Sequence, residues 1–467
     1  MIFEQNTYSS HLIFILIWFI SVSALILYII ILRRKLKIYN QKRSLISTKE
    51  EIRKIFSLED NEVIKIKRSG RESAKRFDLA TVLFSDIQGF TKIAEQLNPE
   101  SLIDELDIFF YHFDTVVEKY NIEKIKTIGD AYMCAGGIPH ENHTNPVEVV
   151  LAALEMQLFM KNMKHHKGEM WDLRIGIHTG SVIAGVVGHK KLSYDIWGDT
   201  VNTASRMESS CTPGKINISG HTYDFIKDYF ICEYRGKMPV KYKGNIDMYY
   251  VNGIKPDLEK PFNKLPISKL DIKLQTLRIF DLENYILEQF EKYNNPDLTF
   301  HNLKNTVDLY IHTDLFSRAE KLPEWENIIV LTAALLINIG YLIDYENHID
   351  ETIRLTKSIL PKFKYIDEQI EEICNLINTV EKNETVTTIT HKILFDARYS
   401  YIGRVDYIDV ITEMYKEAKH FSSIKFDQWQ KQQINILENF SFYTRAANTL
   451  REEFSDEQIK KIKKMKL

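Results

Sequence analysis

Cysteine is scarce in this chain, with four residues among 467 and no two of them spaced as a C-x-x-C pair. This fits a protein of a reducing compartment and gives no sign of a cysteine-ligated structural zinc. A charge of one sign is also missing, because 61 Lys and Arg accompany 64 Asp and Glu, for a formal net charge of −3. The balance gives no support for nucleic acid as a partner. The length leaves room for about two or three domains.

One long run lacks charge altogether, and it covers residues 12–32. About twenty apolar residues are enough for one helix to span a bilayer. The run is too long for the apolar part of a cleaved signal peptide and lacks the small residues of a cleavage site, so we expect a membrane anchor. Residues 2–11 hold no Lys or Arg, whereas six basic residues lie between Arg33 and Arg43. The positive-inside rule therefore places residues 1–11 outside and the rest of the chain in the cytoplasm, at the cell (inner) membrane.

The segment that follows changes from polar to mixed character. Residues 33–77 are polar with apolar positions at heptad-like spacing, and they fit a short parallel helix pair or a solvated linker helix equally well. Residues 78–253 alternate between strand and helix patterns. The predicted hairpins join residues 122–128 to 131–135 and residues 173–179 to 182–187. This mixture predicts an α+β domain with its helices on one face of the sheet.

Two carboxylates lie where predicted strands end, Asp86 within residues 84–91 and Asp130 within residues 128–132. Hard divalent cations take oxygen ligands, and a pair of such ions can hold both the attacking and the leaving oxygen of a phosphoryl displacement. Asp86 is followed by Gly89, Phe90 and Thr91 at the apparent start of a helix, where free backbone N–H groups would suit phosphate oxygens. The two segments together indicate nucleotide chemistry.

Five more polar residues complete the candidate site: Lys126, Asp195, Asn202, Arg206 and Lys243. Asn202 and Arg206 are four apart on a predicted helix and so share one face. Asparagine can orient a ribose, and arginine can stabilise charge that grows on a transferring phosphoryl group. Lys126 and Asp195 supply one donor and one acceptor, as the adenine edge requires. Lys243 is a suitable point charge for a triphosphate.

The motifs that carry these residues resemble the class III nucleotidyl cyclases over roughly residues 77–253. The matching segments are residues 84–91, 124–133, 174–180 and 194–206. The resemblance implies a ferredoxin-like α+β fold in which Asp86, Ile87 and Asp130 hold two Mg²⁺ or Mn²⁺ ions per active site. It implies that Lys126 and Asp195 read the base, that Gly89, Phe90, Thr91 and Lys243 bind the substrate phosphates, and that Asn202 and Arg206 stabilise the transition state.

The base-reading pair favours adenine, because guanylyl enzymes of this family typically have Glu and Cys where this chain has Lys126 and Asp195. The resemblance implies that the ribose 3′-hydroxyl of ATP attacks the α-phosphate in line, giving 3′,5′-cyclic AMP and pyrophosphate. One chain carries both halves of the site, so a homodimer with two equivalent sites is implied. A guanylyl cyclase and a catalytically silent nucleotide-sensing scaffold remain alternatives, and the complete set of site residues argues against the scaffold.

The C-terminal part differs in composition. Residues 254–274 contain three prolines and fit a linker, and residues 275–467 have helical spacing. Four segments resemble an HD-type phosphohydrolase domain: residues 300–306, 333–341, 345–348 and 394–398.

The metal ligands of such a domain are only partly present. His301 and Asp396 match its outer ligands and His348 is a further polar residue, whereas Ile337 and Asn338 replace the central His-Asp pair. Isoleucine cannot ligate, and asparagine lacks the charge that would neutralise a cation. We expect a degenerate, non-hydrolytic module that responds to an unidentified regulator, and not a second enzyme that degrades the cyclic product.

Overall fold

The computed structural model describes residues 74–90, 94–95, 98–167, 171–188, 192–240, 244–262, 266–451 and 455–465. The predicted membrane segment lies outside these residues, as does nearly all of the predicted 33–77 linker. Among the described residues, one stretch, Glu324–Leu342, is long and apolar enough to cross a membrane, and 78% of its most apolar window is buried inside the protein. That degree of burial is typical of a core helix.

The first region is built on a mixed sheet, which in the described part of the chain has eight strands. They are β1 (Lys75–Ile87), β2 (Glu123–Ile128), β3 (Ala131–Gly136), β4 (Leu173–Val187), β5 (Ser193–Trp197), β6 (Ile216–Ser219), β7 (Phe230–Val240) and β8 (Gly244–Ile254). The order is β2-β3-β1-β4-β6-β8-β7, and β5 pairs with β4. Strands β4 and β6 run parallel, whereas β1 is antiparallel to both of its neighbours. The predicted α+β character is confirmed.

Helices cover both faces of this sheet. They are α1 (Pro99–Lys119), α2 (Asn145–Lys167), α3 (Asp199–Ser209) and α4 (Gly220–Ile226). Successive residues of a strand point to opposite faces. Accordingly, Leu83 of β1 shares one core with Phe113 of α1, whereas its neighbour Val82 shares another core with Ala204 of α3. The prediction that all helices lie on one face was therefore wrong for α3.

Strand β4 is longer than predicted, and Gly180 does not turn the chain. The strand is continuous and pairs with β1 from Leu173 opposite Ile87 to Ala184 opposite Lys75. A Cβ at position 180 would lie 2.7 Å from the hydroxyl oxygen of Thr200 on α3. Glycine is present because a helix packs closely there. The predicted hairpin was wrong because a strand glycine signals close approach as well as a turn.

The second region is helical throughout its described residues. Its α-helices are α5 (Lys269–Lys292), α6 (Leu303–Ala319), α7 (Glu324–Leu336), α8 (His348–Ile359), α9 (Asp367–Glu381), α10 (Ile389–Arg398), α11 (Tyr407–Ser422), α12 (Phe426–Asn439), α13 (Arg445–Arg451) and α14 (Ser455–Lys464). Helix α7 supplies the centre of one hydrophobic core, with its residues 328–336 buried. The predicted all-α character of this region is confirmed.

The two regions contact each other directly, beginning inside the predicted 254–274 linker. Helix α5 starts there with a capping box formed by Ser268 and Asp271. Leu270 and Leu274 of α5 are buried in the core that α1 and α2 form with the sheet. The helical region thus packs on the side of the sheet region where α1 and α2 lie.

Candidate active site

The two predicted acids lie side by side. Asp86 is next to the end of β1, and Asp130 lies in the turn between β2 and β3. The turn is tight because Gly129 takes a φ of +64°, a value that glycine adopts without strain. The register of Ser85 with Tyr132 then brings the two acids together.

The acids interact strongly. Burial, a hydrogen bond with the Asp86 carboxyl and repulsion from its charge together raise the pKa of Asp130 to about 6. The backbone of Ile87 also forms a hydrogen bond with the Asp130 carboxyl. Two carboxyl groups this close repel each other when both are ionised, and a nearby cation would relieve that repulsion.

Arg174 and Glu208 belong to the same cluster, although the sequence analysis assigned them no role. Arg174 lies opposite Asp86 in the β1–β4 ladder and donates a hydrogen bond to its carboxylate. The same guanidinium nitrogen is 3.1 Å from Glu208 Oε1. Burial raises the pKa of Glu208 to about 7, and although Arg174 opposes this shift, the charges of Asp86 and Asp130 add to it.

The base-reading pair is formed within one chain. Lys126 Nζ on β2 donates to Asp195 Oδ2 on β5 at 2.5 Å. The other carboxylate oxygen, Asp195 Oδ1, accepts the backbone N–H of Ile196 at 2.9 Å, which fixes its orientation. The Lys126 side chain is 40% exposed and that of Asp195 is 16% exposed. The predicted donor and acceptor are therefore adjacent and reachable from solvent.

Asn202 and Arg206 share the face of α3 that points away from the sheet. Thr203, Ala204 and Met207 form the buried side of this helix, whereas Asn202 is exposed and Arg206 is half-buried. Among the described residues, neither side chain forms a hydrogen bond or ion pair with the two acids or with the Lys126–Asp195 pair. The structure of one chain thus brings the predicted residues together in two pairs and leaves Asn202 and Arg206 facing solvent.

The predicted phosphate contacts are described only in part. Gly89 has a φ of +73°, and a Cβ there would meet no atom within 4 Å among the residues that the structure describes. Phe90 packs against Trp171, with ring centroids 6.5 Å apart. Thr91 and Lys243 lie outside the described residues.

A divalent cation fits the acid pair by its chemistry. Asp86 and Asp130 present carboxylate oxygens, the ligands that Mg²⁺ and Mn²⁺ prefer. Burial first, and then the neighbouring Asp86 carboxyl, raise the pKa of Asp130, and a cation bound here would oppose both effects. Groups of three or more His, Cys, Asp or Glu side chains able to hold a metal are absent from the described part of the chain, so the acid pair would need other oxygen ligands.

In the helical region, the structure separates the two predicted outer ligands. Both oxygens of Asp396 accept backbone N–H groups, from Tyr443 at 2.9 Å and Thr444 at 2.7 Å. His301 instead hydrogen-bonds the carboxylate of Glu417. The two residues that match the outer ligands therefore have different partners, and Asp396 holds the chain before α13.

An arginine occupies the polar centre near His301. The guanidinium of Arg398 lies 3.1 Å from His301 Nε2, 3.2 Å from Asn338 Oδ1 and 3.0 Å from Glu381 Oε1. His348 contacts the other oxygen of Glu381 at 3.3 Å. The side chains of His301, Asn338 and Glu381 thus surround the guanidinium of Arg398.

Comparison with known proteins places the sheet region in a family. Residues 72–253 match the family model described as the adenylate and guanylate cyclase catalytic domain. An adenylate cyclase of Mycobacterium bovis is 40% identical over 182 residues, which are 39% of this chain and 41% of that enzyme. The receptor-type guanylate cyclase gcy-28 of Caenorhabditis elegans is 41% identical over 192 residues, 40% of this chain and 15% of that protein. This chain thus spans less than half of either relative.

Two solved cyclase structures are also similar to this part of the chain. The adenylyl cyclase CyaB of P. aeruginosa is 32% identical, with a TM-score of 0.38, over 40% of this chain and 99% of that one. The guanylate cyclase domain of RhGC from Catenaria anguillulae, solved in complex with GTP, is 37% identical, with a TM-score of 0.38, over 39% of this chain and all of that one. Residues 72–253 form a class III adenylyl/guanylyl cyclase catalytic domain.

Proposed function

We propose that this chain, whose residues 72–253 are a cyclase catalytic domain, is an adenylyl cyclase that converts ATP to 3′,5′-cyclic AMP and pyrophosphate. The single observation that carries the choice of ATP is the contact of Lys126 Nζ with Asp195 Oδ2 at 2.5 Å. Adenine presents an acceptor at N1 and a donor at its N6 amine, so one ammonium and one carboxylate complement it. Guanine presents an acceptor at O6 and a donor at N1, and it would place its N1–H against a cation.

The rest of the reaction is assigned to side chains around this pair. Asp86 and Asp130, with Ile87 beside them, would hold two Mg²⁺ or Mn²⁺ ions. When bound, the ions lower the pKa of the ribose 3′-hydroxyl and neutralise charge on the phosphates. Asn202 orients the ribose. Arg206 stabilises the charge that develops on the α-phosphate, and Lys243 with the 89–91 segment binds the triphosphate.

The active unit is proposed to be a homodimer. In one chain, Asn202 and Arg206 face solvent on α3 and lack side-chain contacts to the acid pair among the described residues. A second copy of the chain can bring its base-reading pair and its α3 to the acids of the first, and symmetry then gives two equivalent sites.

The location and the helical region belong to the same proposal. Residues 12–32 would anchor the enzyme in the cell membrane, with the catalytic domain in the cytoplasm. The helical region, residues 275–467, is proposed to be a degenerate HD-like module without hydrolytic activity that serves an unidentified regulator. The lost central pair, Ile337 and Asn338, and the guanidinium of Arg398 among His301, Asn338 and Glu381 support this role.

The test uses the purified full-length chain with Mg²⁺ or Mn²⁺ and offers ATP and GTP in separate reactions. The product is identified by mass. Mainly cyclic AMP is the expected result, and mainly cyclic GMP would mean that the base-reading argument is wrong. Failure to form a cyclic product with either nucleotide would favour a nucleotide-sensing scaffold.

Three variants connect the activity to the site. Asp86→Ala should lose several kcal/mol of transition-state stabilisation, whereas Asp78→Ala removes an exposed carboxylate on the same strand and should retain turnover. Lys126→Glu should shift the ATP-to-GTP preference toward GTP by at least about tenfold, because it reverses the charge that meets the base. Equal turnover in Asp86→Ala and Asp78→Ala would contradict the metal assignment.

A further inference from the structure

The cluster around Asp86 contains more carboxyl groups than cations. Asp86 and Glu208 both contact the guanidinium of Arg174, and Asp130 shares a hydrogen bond with the Asp86 carboxyl. Their side chains are largely enclosed, since Arg174 and Asp86 are each 23% exposed and Glu208 is 12% exposed. One guanidinium cannot neutralise three acids.

The hydrogen bonds of Arg174 are distributed unevenly between its two acidic neighbours. Its terminal nitrogen donates to Asp86. Glu208 Oε1 is 3.1 Å from that nitrogen, yet this oxygen is buried without a hydrogen-bond partner among the described residues, and so is Arg174 Nε. Two charged groups at this distance whose N–H does not point at the oxygen form an ion pair and not a hydrogen bond. Two complementary buried atoms on neighbouring side chains are therefore unsatisfied at once.

The backbone fixes Glu208 in this position. Gly176 of β4 packs so closely under α3 that a Cβ there would lie 1.8 Å from the Glu208 backbone nitrogen. Buried Asn217 of β6 donates to the Met207 carbonyl at 2.8 Å and holds the end of the helix. The Glu208 carboxylate is thus held beside Arg174 by the fold, whichever partner the guanidinium takes.

We propose that Arg174 is an internal cation that changes partner, from Asp86 to Glu208, when a divalent cation binds to the acid pair, and that Glu208 is the positioning residue for this exchange. The inference rests on the proposed function in one respect, the binding of a divalent cation by Asp86 and Asp130. Asp86, when it holds a dication, would no longer be free to accept from the guanidinium, which the added positive charge would repel. Turning to Glu208 satisfies both orphaned atoms, Arg174 Nε and Glu208 Oε1.

The exchange is tested by NMR of the full-length chain labelled with ¹⁵N-arginine, titrated with Mg²⁺ alone. The Arg174 Nε–H signal is assigned by its loss in Arg174→Lys. In the unsubstituted chain, saturating Mg²⁺ should shift this signal downfield and slow its exchange with solvent, because the Nε–H gains an acceptor. In Glu208→Leu the acceptor oxygen is removed, so the slowed exchange should be absent although Mg²⁺ still binds by calorimetry.

Controls separate the exchange from general charge effects. Glu233→Leu removes an exposed carboxylate on β7 and should retain the Mg²⁺-induced change. An unchanged Arg174 signal in the Mg²⁺-saturated chain, or the same change in Glu208→Leu, would overturn the proposal. Formation of cyclic AMP without a change at Arg174 would leave the proposed function standing and remove the exchange alone. Mg²⁺ binding that survives Asp86→Asn would overturn both the metal assignment and the exchange.

Discussion

One buried carboxylate, Glu148, lies at the contact between the sheet region and the helical region. Glu148 in the first turn of α2 receives a hydrogen bond from Arg278 of α5 at 3.0 Å, and their side chains are 5% and 10% exposed. Lys364 lies 3.5 Å from the same oxygen and also donates to the Lys119 carbonyl at the end of α1 at 3.1 Å. Glu148→Gln keeps the shape of the side chain and removes the negative charge that faces Arg278 and Lys364.

The cost follows from burial. Removing one partner of a buried ion pair costs about 3–5 kcal/mol, since the remaining charge is left uncompensated. Glutamine still offers an acceptor oxygen, so the lower end, about 3 kcal/mol, is expected. In a cooperative unit of 150–250 residues this lowers the melting temperature by roughly 6–12 °C. The docked state should lose stability relative to the two regions apart.

A matched control lies on the same helix. Glu155 pairs with Lys119 at 2.7 Å, but the side chains are 32% and 56% exposed, and exposed pairs contribute about 0–1 kcal/mol. Calorimetry of the full-length chain should therefore show a large downward shift, or a second transition, for Glu148→Gln and little change for Glu155→Gln. Equal shifts for the two variants would refute the reasoning, because burial would then not distinguish the pairs.

Three further predictions concern single residues. The pKa of Asp130 is raised to about 6, so its carboxyl stabilises the cation-free fold most at low pH and loses that contribution as pH rises through 6. The affinity for Mg²⁺ should fall as pH drops through the same value. Calorimetric Mg²⁺ titrations on either side of this pKa should show proton release that Asp130→Asn lacks. Gly176→Ala places a Cβ 1.8 Å from a backbone nitrogen of α3, so urea unfolding should show a loss of at least about 1–3 kcal/mol. Arg398→Met leaves Glu381 without its guanidinium partner and should cost about 3–5 kcal/mol, seen as a lower denaturation midpoint.

Much of the fold could be predicted because hydrophobic periodicity reports local structure directly. The hairpin around Gly129 and Asp130 and the strand at residues 216–219 agree with the structure within a residue. Strand β4 was divided wrongly at Gly180, because the reason for that glycine is the packing of α3. A contact between elements that are distant in sequence has no local signature.

The same limit explains which site residues were found. Asp130 and Lys126 belong to recognisable motifs, whereas Glu208 matters only because α3 docks on β4 at Gly176. Arg174 belongs to the matching segment 174–180, but its partner is visible only in the β1–β4 ladder, which places it opposite Asp86. The hydrogen bonds of Asp396 could not be predicted for the corresponding reason, since the backbone groups it binds, at Tyr443 and Thr444, are far along the chain.

The charged clusters around Arg174 and Arg398 differ in how far positive charge offsets the effect of burial on the carboxyl pKa values. In the helical region, burial alone would raise the pKa of Glu381, but the charge of Arg398 together with the hydrogen bond and charges of His348 and His301 outweighs it, and the pKa is lowered. In the catalytic domain, Arg174 cannot do the same, and the pKa values of Asp130 and Glu208 rise to about 6 and about 7.

The direction of each of these carboxyl pKa shifts is set by a balance between burial, which raises the pKa, and nearby positive charge, which lowers it. Glu381 already has its compensating cation in Arg398. Asp130 and Glu208 do not have one, because Arg174 donates to Asp86 instead. A divalent cation would supply the missing charge at the catalytic cluster, whereas at the helical cluster it would have to displace a guanidinium already held by His301, Asn338 and Glu381. The electrostatics therefore favour cation-dependent chemistry in the sheet region and a structural role for the cluster in the helical region.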